Sequence, residues 1–542
     1  MIARIATAFA GTEPRPTQPG DFVLSAHQLL ALHAIAIAAI LAPMVMATYP
    51  PLVDYPNHLA RIHVLATLGD NPMLQEKFVE NWALLPNLGM DALLVPLARI
   101  LPIYPLGKLF VVGSMLLFIG GTYTLRWVLW RRIGLWPAAV LLAVYNHAFA
   151  WGFLNYIFGL GGALFAVAGW IWLRDRWRWQ VRAPLFALVA LALFFCHMFA
   201  LGVYALAIGS YELGLSLDNR DRPFRQHLAD WAIGGAQFVL PLALWFATAV
   251  GSSAGVIVYN GIATKFTSLV SMVLFHVQGI GVATLIFLMV LAVGGCITHS
   301  FRIDPRMKVP LIVLSVTALA MPSWLFSSWG ADLRMSPVIA AFAAAGLQFD
   351  RRNRLFTDIV VIIAASFLAM RIYSMTGVVR KHDAQITELR AAISENVPRG
   401  ARLLPARIHS RDKDHPREFY QIHYHSAAFA VIDRSVYLPT MFTDPEKQPL
   451  VTTSRYHYFD TPYGHPVVDH DLRRGADRLW AERMFARRDP RGRKYYWAHW
   501  PSFYDYVVVF WAERHGNPAP RHLDLVKNGS FFDIYKVARR LR

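Results

Sequence analysis

Five short basic clusters cut the first two-thirds of this chain into long apolar runs. They are Arg126/Arg131/Arg132, Arg174/Arg176/Arg178/Arg182, Arg220/Arg222/Arg225, Arg302/Arg306/Lys308 and Arg351/Arg352/Arg354. Apolar runs of this length belong in a bilayer, where each backbone amide must be paired within its own segment and the run is therefore helical. Short loops rich in Lys and Arg stay cytoplasmic. With all five clusters inside, an even number of crossings separates each neighbouring pair. Residues 133–173 then hold two helices turning near Trp151–Gly152, and 183–217 hold two short ones turning near His197. Residues 231–298 hold two with a longer outer loop at 251–276, and 309–349 hold two turning at "SSWGADLRM". Adding 28–48, 104–130 and 357–376 predicts a polytopic α-helical membrane protein of about eleven transmembrane helices, with the N-terminus inside and the C-terminus outside. The run 28–48 follows a long polar lead and is long enough to span about 30 Å, so it reads as a retained helix and not a cleaved signal.

Composition agrees. The chain is 55% hydrophobic and 16% charged, whereas a soluble domain carries about a quarter charged residues. The net charge of +18 does not point to nucleic acid, because the arginines of the first two-thirds lie between apolar runs instead of forming one patch. Cys196 and Cys296 both lie in apolar runs, near opposite membrane faces, where they cannot pair.

After residue 377 the texture changes. "AQITELRAAISENVPRGARLLPARI" reads as a helix then a strand, "FAVIDRSVYLP" and "YDYVVVFWAE" as buried strands, and "SFFDIYKVAR" as the last strand. The chain thus divides into a cytoplasmic tail (1–27), a transmembrane domain (28–376) and an extracytoplasmic α/β domain (377–542). There is no internal repeat, no Gly-rich phosphate loop, no G-x-S-x-G elbow and no cysteine pair at metal spacing.

The topology sorts the polar residues. Asp54, His58, Arg61 and His63 follow the first helix on the outer side. Asn146, His147, Asn155 and Tyr156 flank the next outer turn, and His197 caps another. Lys265 and His276 border the long outer loop, and Asp332 and Arg334 sit at the last outer turn, close enough in sequence to pair. Ionisable groups at membrane depth are costly and usually face a cavity or a partner. In "YPPLVDYPNHLARIHVL" (49–65), Tyr55 precedes a proline and is pushed out of the helical region, while Pro56 suits a first helical position. A surface helix is predicted to run from there to about Leu68. Asp54 lies just outside its N-terminus, where the dipole favours an ionised carboxylate. His58 and Arg61 share one face. Such a carboxylate is what a general base needs to take a proton from a hydroxyl; the plainer reading is a helix cap.

This organisation resembles the GT-C fold of membrane glycosyltransferases. The likeness is carried by an N-in first helix, an acidic residue in the first outer loop before a surface helix, many membrane helices and a C-terminal outer domain. "DYPNH", from Asp54 to His58, is similar to the acidic-x-x-x-His pattern of that loop. "YPLGKLFVVGSMLLFIGGTYTLRWVLWRR" looks like the family's second membrane helix, with small residues along one side. The resemblance implies a hexosyl or pentosyl transferase, expected to invert, on the periplasmic face of a bacterial-type inner membrane. It would take a polyprenyl-phosphate-linked sugar as donor and an envelope lipid, glycan or protein as acceptor. Asp54 would be the base. Arg334, with Lys265 or Arg61, would neutralise the carrier phosphate, and His58, His197, Asn155 and Asp332 would contact substrate. Tyr55 stands where the family often has a second acid, which favours metal-independent transfer; no cofactor is indicated.

Other histidines read as solvated surface: His423 and His425, alternating in "YQIHYHS", and His465, Asp469, His470 and Asp471 in "GHPVVDHD". Zinc uses such residues, but neither run has a firm ligand spacing. "RRDPRGRKYYWAHW" suits a solvated loop or an anionic contact. Two rival functions remain: a transporter or flippase for an anionic lipid-linked substrate, which calls for charges at mid-membrane, and a non-catalytic assembly protein acting through its outer domain.

Overall fold

The computed structural model describes residues 25–249, 257–273, 278–325, 328–349, 354–408, 422–461, 464–484, 487, 495–511 and 516–538. Most of the tail 1–27, His276 and much of the basic run 487–500 lie outside the described residues. The helices used below are α1 (Ala26–Met46), α2 (Tyr55–Thr67), α3 (Gly89–Ala98), α4 (Ile103–Trp130), α5 (Leu154–Leu173), α6 (Trp179–Cys196), α7 (Met198–Asp218), α8 (Phe224–Ala236), α9 (Val239–Ala249), α10 (Ile262–Val270), α11 (Gln278–Ile297), α12 (Pro305–Ala320), α13 (Met335–Gly346), α14 (Arg354–Asn396) and α15 (Phe429–Arg434). Among the described residues, seven helices are long and apolar enough to cross a membrane, and eight if the bent pair α8–α9 counts as one span. The protein is a polytopic helical membrane protein.

The chain forms two compact units, residues 1–46 with 111–376, and 47–110 with 377–542. The segment 47–110, placed by the sequence reading in the transmembrane part, therefore folds with the C-terminal residues.

In the first unit the hairpin α6–α7 turns at His197 as expected. Three expected spans are not among the long apolar helices of the described residues, and one of them is α12, which has 16 residues. Residues 136–143 form a 3-10 helix, and Asn146 then caps a separate turn by accepting from the Phe149 amide at 3.0 Å. An Asn that bonds its own backbone ends one helix and starts another. Helix α13 has only 12 residues, about 18 Å of rise, against roughly 30 Å of hydrocarbon. The 50° bend between α8 and α9 has a local cause. The Gln237 amide donates to the Gly234 carbonyl at 2.7 Å and accepts from Tyr204 at 2.6 Å, which ends α8 beside a glycine pair. Arg126, read as part of a cytoplasmic loop, is fully buried and donates to the Leu347 carbonyl at 2.6 Å.

Small residues set the α4–α5 crossing. A Cβ on Gly161 would lie 2.6 Å from the Leu117 carbonyl carbon, and one on Gly121 would lie 2.7 Å from the Gly161 oxygen. Backbone meets backbone there, as at other small-residue contacts in membranes.

The second unit holds a five-stranded mixed sheet. With β1 (Phe78–Glu80), β2 (Leu403–Arg407), β3 (Leu450–Thr452), β4 (Val467–Val468), β5 (Tyr506–Phe510), β6 (Leu523–Asn528) and β7 (Phe532–Val537), its order is β6-β7-β5-β2-β4. β2 runs parallel to β5 and β4, and the other pairs are antiparallel. Central β2 and β5 are apolar and buried, as parallel strands covered on both faces must be. Outside that sheet, β1 pairs antiparallel with β3. "FAVIDRSVYLP" is not a strand. Residues 429–434 are helical and end at Ser435 in the left-handed region, φ 51°; a short run buried on all sides does not declare its period. Arg390 forks onto Asp433 at 2.6 and 2.7 Å and stacks 4.4 Å from the Tyr104 ring, which fastens α14 to α15.

Gly161→Ala is expected to lower the thermal midpoint in detergent markedly, because backbone atoms cannot yield to the new methyl. Gly113→Ala, in the same membrane helix system with nothing within 4 Å, is expected to be neutral or slightly stabilising.

Candidate active site

Asp54 occupies the N-cap position of α2 but does not cap it: its backbone is helical (φ −85°, ψ −11°) and its carboxylate bonds no helix amide. Pro56 has no N–H to satisfy, and the His58 amide reaches the Asp54 carbonyl at 3.0 Å. The side chain is therefore released from the role an aspartate usually takes there. Its Oδ1 lies 3.4 Å from Nε2 of His425, with the carboxylate side chain 15% exposed and the imidazole 3%.

The tautomer of His425 follows from its other side. The Asn57 amide nitrogen lies 2.9 Å from the Thr440 carbonyl and 2.8 Å from His425 Nδ1. A carbonyl only accepts, so the nitrogen and not the oxygen faces both groups. Its second N–H then donates to Nδ1, which must be unprotonated. Nδ1 is thus the accepting nitrogen, and Nε2 is the one that lies 3.4 Å from Asp54 Oδ1.

Next to it, Arg61 and Asp91 form a fully buried bidentate pair, with Nε–Oδ1 and NH2–Oδ2 both 2.7 Å. The same NH2 donates to His58 Nδ1 at 3.2 Å. The rings of His58 and His425 both pack edge-on to Phe442, with centroids 5.5 and 5.2 Å away. Arg61, expected to meet a carrier phosphate, is thus matched by Asp91 and holds His58 in place.

The remaining candidates lie in the first unit. Arg334, 6% exposed, donates to the Trp329 carbonyl at 2.6 Å and stacks over Phe153 and Phe199 with its guanidinium 4.0 and 5.0 Å from their centroids. Tyr156 donates to the Arg334 carbonyl and packs edge-on to His197. His197 caps α7, its Nδ1 accepting from the Phe199 amide at 3.1 Å. Burial, then the nearby Arg334, hold it well below the usual histidine range. Asp332 is not the partner of Arg334. It accepts from Ser268 and Ser323, each at 2.8 Å. Lys265, on the same helix as Ser268, donates to the Met321 carbonyl. Asn155 is buried at the start of α5.

His423 and His425 are not strand residues facing water: both are buried, in turns ahead of a 3-10 helix. His423 stacks on His382, centroids 5.3 Å apart, and bonds Ser426 and Gln385. Asp469, His470 and Asp471 open a short helix at the surface, with Asp469 on Arg473 at 2.6 Å. Among the described residues no three His, Cys, Asp or Glu side chains converge as metal ligands. Asn57, Asp91 and the pairing of His425 with Asp54 were missed. Asn57 lies inside "DYPNH", but a contact across more than 360 residues leaves no trace in local spacing.

Helix α2, expected at the membrane surface, is instead buried along nearly its whole length, and the chain combines several long apolar helices with a mixed α/β unit built partly from the C-terminal third. No family model and no curated protein matches the sequence. Among solved structures, the crystal structure of ArnT from Cupriavidus metallidurans, a GT-C glycosyltransferase, bound to undecaprenyl phosphate, shares this fold. The likeness covers 95% of this chain and 99% of that one, with a TM-score of 0.50 and 11% identity.

His147 provides a test by pH. It accepts from the Trp151 indole at 2.9 Å, and burial lowers its pKa from 6.5 to about 4. The unfolded chain therefore binds this proton first. Stability is expected to fall as pH drops from about 6.5 towards 4, by up to about 3 kcal/mol. His147→Gln, measured by thermal unfolding in detergent across that range, is expected to flatten the slope.

Proposed function

We propose that this chain is a membrane glycosyltransferase of the inner-membrane type. It would transfer a sugar from a polyprenyl-phosphate-linked donor to an envelope acceptor on the extracytoplasmic side, with Asp54 as general base. The observation that carries the reading is the Asp54 carboxylate, freed from helix capping and lying with one oxygen 3.4 Å from the buried His425 imidazole. Its other oxygen is left to receive a proton. The fold shared with ArnT, solved with undecaprenyl phosphate bound, supports the donor class.

In this reading the acceptor O–H gives its proton to Asp54 while the oxygen attacks the anomeric carbon. The bond from that carbon to the carrier oxygen breaks, and the electron pair leaves with the phosphate. A single displacement inverts the centre. Asn57 and His425 hold the base, and Arg61 and Asp91 hold His58 within reach of substrate. Cationic side chains would stabilise the charge of the departing phosphate, where electrostatic stabilisation is usually the largest catalytic contribution.

Mass spectrometry of envelope glycans and glycolipids from wild-type, deletion and Asp54→Asn strains tests this. With the variant inserted at wild-type level, it is expected to lose the same sugar-bearing species as the deletion, since a general base contributes roughly 10²–10⁴ in rate. A deletion that changes the envelope while Asp54→Asn leaves it intact would remove the mechanism and favour transport or assembly.

A further inference from the structure

The arginine loops of the first unit do more than fix topology. The ends of α4, α5 and α7 and the start of α12 enclose a cavity of about 550 Å³, lined by Arg131, Arg174, Arg176, Arg222 and Arg306 together with Tyr211. It lies at the far end of α5 from Asn155 and Tyr156. Ile171, which also lines it, is 16 residues along from Asn155, about 24 Å of helix. The cavity is therefore remote from the Arg334 and His197 cluster of the same unit.

Three of the five arginines already have carboxylate partners. Arg174 meets Glu212 at 2.9 Å, Asp230 at 3.0 Å and Asp175 at 3.2 Å; Arg222 meets Asp230 at 3.2 Å; Arg306 meets Asp304 at 2.8 Å. Arg131 and Arg176 have no carboxylate partner among the described residues. Both guanidinium carbons lie 3.9 Å from the centroid of the Trp172 ring, and both side chains are exposed. A guanidinium stacked on an indole has its face covered and can turn an N–H edge to a ligand; Arg176 gives NH1 to the Trp172 carbonyl at 2.5 Å, and its remaining N–H groups with those of Arg131 suit phosphate oxygens. Partial desolvation at the cavity wall, then repulsion by Arg176 and Arg306, lower the Arg131 pKa even though the side chain is largely exposed, and an anion would relieve that repulsion. A cationic site needed only for topology has no reason to be concave or tryptophan-backed. Arg178 and Arg225, in the same loops, do not line the cavity.

We infer that this cavity binds a phosphate-bearing anion, held by the N–H edges of Arg131 and Arg176. The phosphate would come from the headgroup of an anionic phospholipid in the adjoining leaflet or from a soluble phosphate. The inference is independent of Asp54 and of the sugar transfer proposed above.

The full-length protein is placed in phosphatidylcholine nanodiscs, in discs that also contain phosphatidylglycerol, and in phosphatidylcholine discs with added inorganic pyrophosphate. Thermal unfolding of the wild type is compared with Arg131→Gln/Arg176→Gln and with a charge-matched control, Arg178→Gln/Arg225→Gln. A rise in midpoint with phosphatidylglycerol, lost in the first variant and kept in the control, assigns the cavity to a lipid headgroup. The same pattern with pyrophosphate alone assigns it to a soluble anion, with the affinity of the first variant weaker by about tenfold or more. No rise in any arm, or equal loss in both variants, overturns the inference. If the double variant does not fold, Arg176→Gln alone replaces it under the same criteria.

Discussion

The second unit depends on one buried ion pair. Arg61 and Asp91 are both fully excluded from solvent and joined by two 2.7 Å bonds, so α2 is clamped against α3 at the level of its second turn. Removing either partner would strand a buried charge at a cost of roughly 3–5 kcal/mol. With α2 fixed, His58 receives its bond from Arg61, Asn57 points at Thr440 and His425, and Asp54 is presented at the helix start. The pair also holds Arg61 against His58. Asp91 and His58 take up Nε and NH2 of Arg61, while its NH1 is buried without a hydrogen-bond partner among the described residues.

Asp54 illustrates how local backbone chemistry sets a functional group free. An aspartate ahead of a helix normally spends its oxygens on the first amides. Here the proline two residues on removes one of those amides, the helical conformation at Asp54 turns the carboxylate away, and the buried His425 imidazole lies 3.4 Å from it.

Much of this was legible in the sequence. Arginine spacing located the α6–α7 turn at His197, the proline in "DYPNH" marked the start of α2, and the strands at 403–407, 506–510 and 532–537 followed from buried apolar runs. Helix count was less legible, because Asn146 interrupts a run whose composition alone would span, and α13 is apolar but short. The partners of the candidate residues were hidden for a different reason. His425 meets Asp54, and Asp332 meets Ser268, across long stretches of chain, and charge proximity along the chain suggested a false pair, Asp332 with Arg334. Similarly, alternating histidines imitated a strand where the backbone turns.

The central claim is that Asp54 starts the reaction that unloads a lipid-linked sugar. The most direct measurement is the ratio of sugar-loaded to free polyprenyl phosphate in membranes of wild-type, deletion and Asp54→Asn cells, by liquid chromatography and mass spectrometry. The account predicts that one loaded carrier accumulates equally in the deletion and in Asp54→Asn. An unchanged ratio in Asp54→Asn beside a raised one in the deletion would contradict the assignment of Asp54, and an unchanged ratio in both would contradict the donor.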